Sequence, residues 1–109
     1  MATKISFSFD GKDYCLEYTK RTVKQMEDRG FSASRMIEAP MSTLPELFAG
    51  AFLAHHKFIN REVIDAIYDK MEDKKALIGT LTTMYNEPIE ALMTDGDSEG
   101  NGIAWTATT

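Results

Sequence analysis

Apolar residues between Thr43 and Phe58 recur every three or four positions, which is the spacing of one helical face. They are Leu44, Leu47, Phe48, Ala51, Phe52 and Phe58, and His55 falls at the same spacing. The opposite side carries small or apolar residues, namely Ala49, Gly50, Leu53 and Ala54. Because a helix without a charged flank is usually buried on more than one side, the pattern predicts a central helix over about 43–58.

The N-terminal residues alternate between apolar and polar, which is typical of a half-buried strand. Asp10-Gly11 follows, a dipeptide favoured in two-residue hairpin turns. Together they predict a β-hairpin over about 4–18. The pairs predicted for a two-residue loop are Phe9–Lys12, Phe7–Tyr14, Ile5–Leu16 and Thr3–Tyr18.

Capping residues predict three further helices. The predicted ranges are about 20–29 after Thr19, 61–72 after Asn60, and 74–92 after Asp73, with a kink or break near Pro88. Gly30 is the expected C′ residue of the first of these helices, with Phe31 folding back beside it. The segment 31–41 is predicted to be an irregular connection with at most one helical turn.

These elements predict a single α+β domain over 1–93, made of an N-terminal two-stranded β-hairpin and a bundle of about four helices. Residues 94–109 are rich in glycine and acidic side chains and lack periodicity. We therefore predict a disordered acidic tail there.

Composition narrows the classes of function. The net charge of −5, with Lys and Arg scattered among Asp and Glu, disfavours nucleic-acid binding. The single cysteine, Cys15, excludes an intramolecular disulfide scaffold. The N-terminus lacks a signal-peptide pattern, and the longest apolar run is too short to span a bilayer. A cytoplasmic chain without membrane contact is expected.

Candidate chemistry is sparse. Adjacent helical residues point about 100° apart, so His55 and His56 are poorly placed to share one metal ion. His55 is expected at the core edge and His56 in solvent. Cys15 has no local partner for nucleophilic chemistry, and the acidic pairs fall on predicted surfaces or in the tail. We predict no catalytic, cofactor or metal site.

The seven methionines offer another kind of site, because Met suits adaptable protein-binding surfaces. Core filling is the simpler role for any single Met. Met36, Met41 and Met93 lie beside irregular segments, Leu53 lies on the second face of the central helix, and Trp105 stands in the polar tail. The candidate partner-binding residues are Met36, Met41, Leu53, Met93 and Trp105.

Three strings resemble the tail assembly chaperones of long-tailed, siphovirus-type bacteriophages. They are FDGKDYCLEYTKRTVKQMEDRGF (9–31), LPELFAGAFLAHHKFI (44–59) and LTTMYNEPIEALM (81–93). The likeness covers most of the chain before the tail and consists of diffuse patterns rather than a catalytic motif. The segment 31–41 matches poorly.

The resemblance implies a non-enzymatic factor that binds the phage tape-measure protein, keeps it soluble and helps to recruit tail-tube protein. Such chaperones act in the host cell cytoplasm and are generally missing from the mature virion. Many exist in two forms produced by a ribosomal frameshift, and Thr109 would then end the shorter form. Self-association into a homo-oligomer is left open.

Two other functions stay open at this point. A small acidic phage or bacterial regulatory or inhibitor protein would present clustered acidic residues to a basic partner, although the scattered Lys and Arg argue against it. A small enzyme would need a pocket that converges on Cys15, His55 or tyrosine side chains.

Overall fold

Two strands and five helices follow one another in the computed structural model, which describes residues 3–94 and 103–108. The elements are β1 (Ile5–Phe9), β2 (Lys12–Leu16), α1 (Lys20–Asp28), α2 (Arg35–Glu38), α3 (Pro40–Gly50), α4 (Arg61–Lys70) and α5 (Lys74–Leu92). The predicted α+β class, with the hairpin first, is confirmed. The fifth helix is the single turn α2. Most of the predicted disordered tail, 94–109, lies outside the described residues.

The hairpin has the predicted turn and register. Asp10 and Gly11 both take positive φ angles, 52° and 78°, as a type I′ turn requires. The pairs Phe9–Lys12, Phe7–Tyr14 and Ile5–Leu16 are confirmed. The predicted Thr3–Tyr18 pair is wrong, because the ladder ends at Ile5. Thr3 instead donates from its backbone N–H and its hydroxyl to the carboxylate of Glu87, at 2.9 and 2.7 Å.

Both ends of α1 follow the sequence prediction. The Thr19 hydroxyl accepts the Thr22 N–H at 3.1 Å and caps the first turn. At the other end, Gly30 has φ +94° and donates to the Glu27 carbonyl, while the Phe31 N–H reaches the Met26 carbonyl. This pair of bonds is the Schellman motif, and it turns the chain back toward the core.

The central helix was predicted three residues too late at its start and eight too far at its end, since α3 spans Pro40–Gly50. Pro40 occupies the first turn, where its missing N–H costs nothing. Thr43, the first residue of the predicted helix, lies inside α3 and is buried. Residues 51–55 form turns, and the Ala51 carbonyl accepts the Glu17 N–H at 3.0 Å. Phe58, expected on the buried face, is 91% exposed.

The last two helices begin at their predicted caps, Asn60 and Asp73. α4 ends at Lys70, two residues earlier than predicted, because Met71 is extended. The predicted break near Pro88 does not occur, and α5 continues through this residue to Leu92. Within residues 3–94 and 103–108, none of the helices has both the length and the apolarity needed to cross a membrane.

The core lies where the hairpin, α1, α3 and α5 meet, and α4 covers one side. Its largest fully buried side chains are Tyr85, Phe48, Phe52, Leu16, Leu47, Ile67, Leu81 and Met84. The Phe52 ring contacts the rings of Phe7, Tyr14 and Phe48 and joins the sheet to the helices. Gly50 is buried against the Met26 side chain, which a Cβ at this position would strike. The small residue thus permits the close approach of α1 and α3.

Candidate partner-binding surface

The turn from α2 into α3 holds two large apolar side chains in solvent. Ile37 is 87% exposed and Met41 is 90% exposed, and α2 has no buried residue. Thr43 anchors this turn, because its hydroxyl donates to the Arg35 carbonyl at 3.2 Å and its N–H donates to the Ala39 carbonyl. We call residues 35–46 the α2–α3 corner. Ile37 and Met41 thus project outward from a hydrogen-bonded backbone.

A groove between α3 and α4 runs beside this corner. Its lining residues are Met41, Ser42, Pro45, Glu46, Phe48, Arg61, Asp65, Tyr68 and Asp69. Arg61 bridges the two helices across the groove, with its guanidinium 3.1 Å from Glu46 and 3.2 Å from Asp65. The groove therefore has an apolar floor and a rim of both charge signs, as protein-binding surfaces commonly have.

A second recess of about 290 Å³ lies on the other side of α3, against the end of α1. Met26 and Phe31 contribute its apolar wall, and Arg29, Arg35 and Glu46 its charged rim. Glu46 lines both depressions. The first half of α3 is thus a ridge flanked by two concave surfaces.

The predicted partner-binding residues divide into two groups. Met41, Met93 and Trp105 are exposed, whereas Met36 and Leu53 are half-buried and pack against the core. Only Met41 of the five lines the groove between α3 and α4. Met93 follows the exposed Leu92 at the end of α5, and Trp105 lies in the described segment 103–108.

Ile37 and Phe58 are exposed apolar residues that the sequence reasoning did not select as partner-binding candidates. The sequence does contain a feature that predicts the exposure of Ile37. This residue adjoins Met36 in a segment too short to bury both side chains. No such feature predicts the exposure of Phe58, because its spacing matches the buried face of the predicted central helix. Its exposure follows from the end of α3 at Gly50.

The second face of the central helix carries Ala49, Gly50 and the candidate residue Leu53. Gly50 is buried, and both Ala49 and Leu53 pack against the core. This face therefore contributes to packing and offers little free surface.

The two histidines reinforce the hairpin, with roles opposite to those expected. His56, predicted to be in solvent, is half-buried, and its Nε2 accepts the Cys15 N–H at 3.1 Å. His55, predicted at the core edge, is exposed, and its Nε2 lies 2.7 Å from Glu17 Oε1. The pKa of His56 is lowered, chiefly by burial and further by the positive charges of His55 and Lys12. A neutral ring keeps the lone pair on Nε2 that accepts the Cys15 N–H.

This cluster shows no arrangement typical of metal binding. In the part of the chain that the structure describes, no three His, Cys, Asp or Glu side chains are grouped to hold a metal ion. The bond from Cys15 comes from its backbone rather than its thiol. The contacts at Cys15, His55 and His56 thus stabilise the sheet edge.

The fold defines the class of this protein, a small α+β domain in which, among the described residues, a hairpin is followed by five helices and an apolar corner stays exposed. The chain belongs to the family described as Domain of unknown function (DUF5055), which matches residues 1–109. Comparison with curated proteins gives no match. Comparison with solved structures also gives none.

Proposed function

We propose that this chain is a tail assembly chaperone of a long-tailed bacteriophage. It binds the tape-measure protein, keeps that protein soluble in the host cytoplasm and helps to recruit tail-tube protein. It acts by binding rather than by catalysis and leaves before the virion is complete. The resemblance of residues 9–31, 44–59 and 81–93 to such chaperones supports this proposal, together with the surface described above.

The observation that carries the proposal is the exposed α2–α3 corner. Two large apolar side chains, Ile37 and Met41, are exposed to solvent, and Met41 lines a groove with an apolar floor. A folded domain gains little stability from such an arrangement, whereas a partner helix gains an apolar contact. Methionine at this place suits partners whose side chains vary along their length, as successive turns of a long helix do.

The charges around the groove indicate which kind of helix would complement it. Arg61 and Glu46 lie on its rim with Asp65 and Asp69. An amphipathic helix with an apolar stripe at i, i+3 or i+4 and i+7, flanked by charges of both signs, complements this lining. Tape-measure proteins are long and helical in the family that the chain resembles, and they would supply such stripes.

Co-expression with the tape-measure protein of the same phage tests the proposal. The full chain should move the tape-measure protein from the insoluble to the soluble fraction and co-purify with it. Ile37→Glu and Met41→Glu should each abolish both effects, because a carboxylate would be buried in the contact. A soluble fraction unchanged by the chain, with no complex recovered, would contradict the proposal.

Ala76→Glu is a matched control for these variants. Ala76 is exposed in the first turn of α5 and its N–H bonds to the Asp73 cap, so a glutamate there completes a capping box. This variant adds the same charge far from the corner in the sequence. It should bind like the wild-type chain, and a comparable loss would show that the effect comes from net charge.

A further inference from the structure

The two outer edges of the hairpin differ in hydrogen bonding. On β2 and just beyond it, the Cys15 N–H donates to His56 and the Glu17 N–H donates to the Ala51 carbonyl. Because Cys15 donates away from β1, Ser6–Cys15 is a non-hydrogen-bonded pair, and the backbone groups of Ser6 also point outward. The same alternation applies to Ser8. Among the described residues these outward N–H groups have no partner, so β1 has an open edge.

The apolar face of the sheet is also less covered on the β1 side. Tyr14 and Leu16 of β2 are buried, whereas Ile5, Phe7 and Phe9 of β1 are half-buried. All five side chains point to the same face. A further strand beside β1 would extend this face and cover the three half-buried residues.

The segment 103–108 has the composition and pattern of such a strand. It lies outside the helices and strands, with Ile103 92% exposed and Trp105 81% exposed. Its sequence, IAWTAT, places Ile103 and Trp105 on one side and Thr106 and Thr108 on the other. This alternation matches Ile-Ser-Phe-Ser-Phe in β1, and Ile, Trp and Thr all favour strands.

The chain path brings this segment within reach of the open edge. Thr3, just before β1, bonds to Glu87, so the last turns of α5 lie beside the start of β1. Leu92 is five positions further along the helix, about 8 Å. A chain of ten residues, the number from 93 to 102, spans at most about 33 Å, and β1 is about 17 Å long. The connection is therefore long enough for docking in either direction.

We propose that residues 103–108 dock reversibly along the open edge of β1 in the same chain, as a third strand of the sheet. Ile103 and Trp105 then extend the apolar face formed by Ile5, Phe7 and Phe9. Docking closes the edge at which another strand would otherwise add. The inference is independent of the proposed function.

Trp105 is the single tryptophan, so its fluorescence reports docking in the unmodified full chain. We expect a blue-shifted emission and severalfold weaker quenching by acrylamide than in the urea-unfolded chain. Ser6→Pro removes an outward N–H that β2 does not use, so it should expose Trp105 while the hairpin stays folded. Ser6→Thr keeps the N–H and is the matched control, with Trp105 as protected as in the wild type.

Amide hydrogen exchange provides a second readout if Ser6→Pro unfolds in circular dichroism. The amides of Ser6 and Ser8 should be protected in the wild type and lose that protection in Ile103→Asp, whose carboxylate opposes docking on an apolar face. Equal exchange in both proteins would overturn the inference.

Two fluorescence results would also overturn it. One is a Trp105 as accessible in the folded wild type as in urea. The other is protection that appears only as concentration rises, together with a dimer in sedimentation velocity, since the occupant would then be a second copy.

Discussion

The α2–α3 corner, residues 35–46, and the segment that follows it, residues 47–56, adjoin in sequence but have opposite surroundings. In the second segment Leu47, Phe48, Ala51 and Phe52 are all buried. In the corner, Ile37 and Met41 are exposed and Thr43 is the buried anchor. Both segments are rich in apolar residues. Helical spacing thus identifies an apolar face, whereas the neighbouring elements decide whether that face is covered.

The largest expected effect is in the buried segment. Phe52→Ala should lower the free energy of unfolding by about 3–5 kcal/mol, because it removes a ring that contacts Phe7, Tyr14 and Phe48. Phe58→Ala changes the same residue type at an exposed position and should cost less than about 0.5 kcal/mol. Urea titrations measure both values. Similar losses in the two variants would remove the distinction between the covered and uncovered faces.

A smaller effect is expected at the polar contact of the buried segment. The Tyr18 hydroxyl donates to the Leu47 carbonyl at 2.5 Å, so Tyr18→Phe should cost about 1–3 kcal/mol by leaving that buried carbonyl without its donor. Thermal or urea unfolding would measure the loss. A cost close to zero would mean that the Leu47 carbonyl is satisfied within α3.

The same variant tests the alkaline limit of stability. The pKa of Tyr18 is raised by burial and then by Tyr85, so the folded state favours the neutral phenol. The unfolded phenol ionises near pH 10. Stability should therefore fall as pH rises above about 10, and it should fall less steeply in Tyr18→Phe.

Acid should lower the free energy of unfolding through His56, at the end of the buried segment. Because the pKa of His56 is lowered from 6.5, the unfolded state binds more protons just below that pH. The contribution of His56 to the free energy of unfolding is thus complete above about pH 6.5, and it declines as the pH falls through the lowered pKa. The free energy of unfolding of the wild type, compared between about pH 7.5 and pH 5.5, should drop more than that of His56→Ala. Parallel pH profiles would show that the pKa of His56 is the same in the folded and unfolded states.

The smallest effect is expected at the corner. Met41→Ala should change the free energy of unfolding by less than about 0.5 kcal/mol, because the side chain is exposed. Met84→Ala is the matched change inside the core and should cost about 2–5 kcal/mol. A large loss in Met41→Ala, measured by urea titration, would place Met41 in the packing of the domain instead of on a free surface.

The parts of the fold that local chemistry decides were predictable. Asp10-Gly11 specified the turn and hence the register, and Thr19, Asn60 and Asp73 marked helix starts. The end of α3 was not predictable in this way. The Ala51 carbonyl bonds to Glu17, more than thirty residues earlier in the chain, and no periodicity within 43–58 encodes that contact.

The candidate site was predictable only in part, for the same reason. Met41 was selected because it adjoins an irregular segment, and it is exposed. Met36 was selected on the same ground, yet it packs against the core. Two methionines in one short segment look alike in sequence, and the fold of the corner distinguishes them.

The hydrogen bonds between Thr3 and Glu87 join residues 84 positions apart, and they have a consequence for protein synthesis. α5 supplies Leu77, Leu81, Met84 and Tyr85 to the core, but the ribosome makes this helix after β1, β2 and α1 to α4. At a synthesis rate of about 5–20 residues per second, the hairpin, α1 and α3 are complete several seconds before α5 is. Slow codons within 61–92 should therefore lower the soluble yield without changing the protein's sequence.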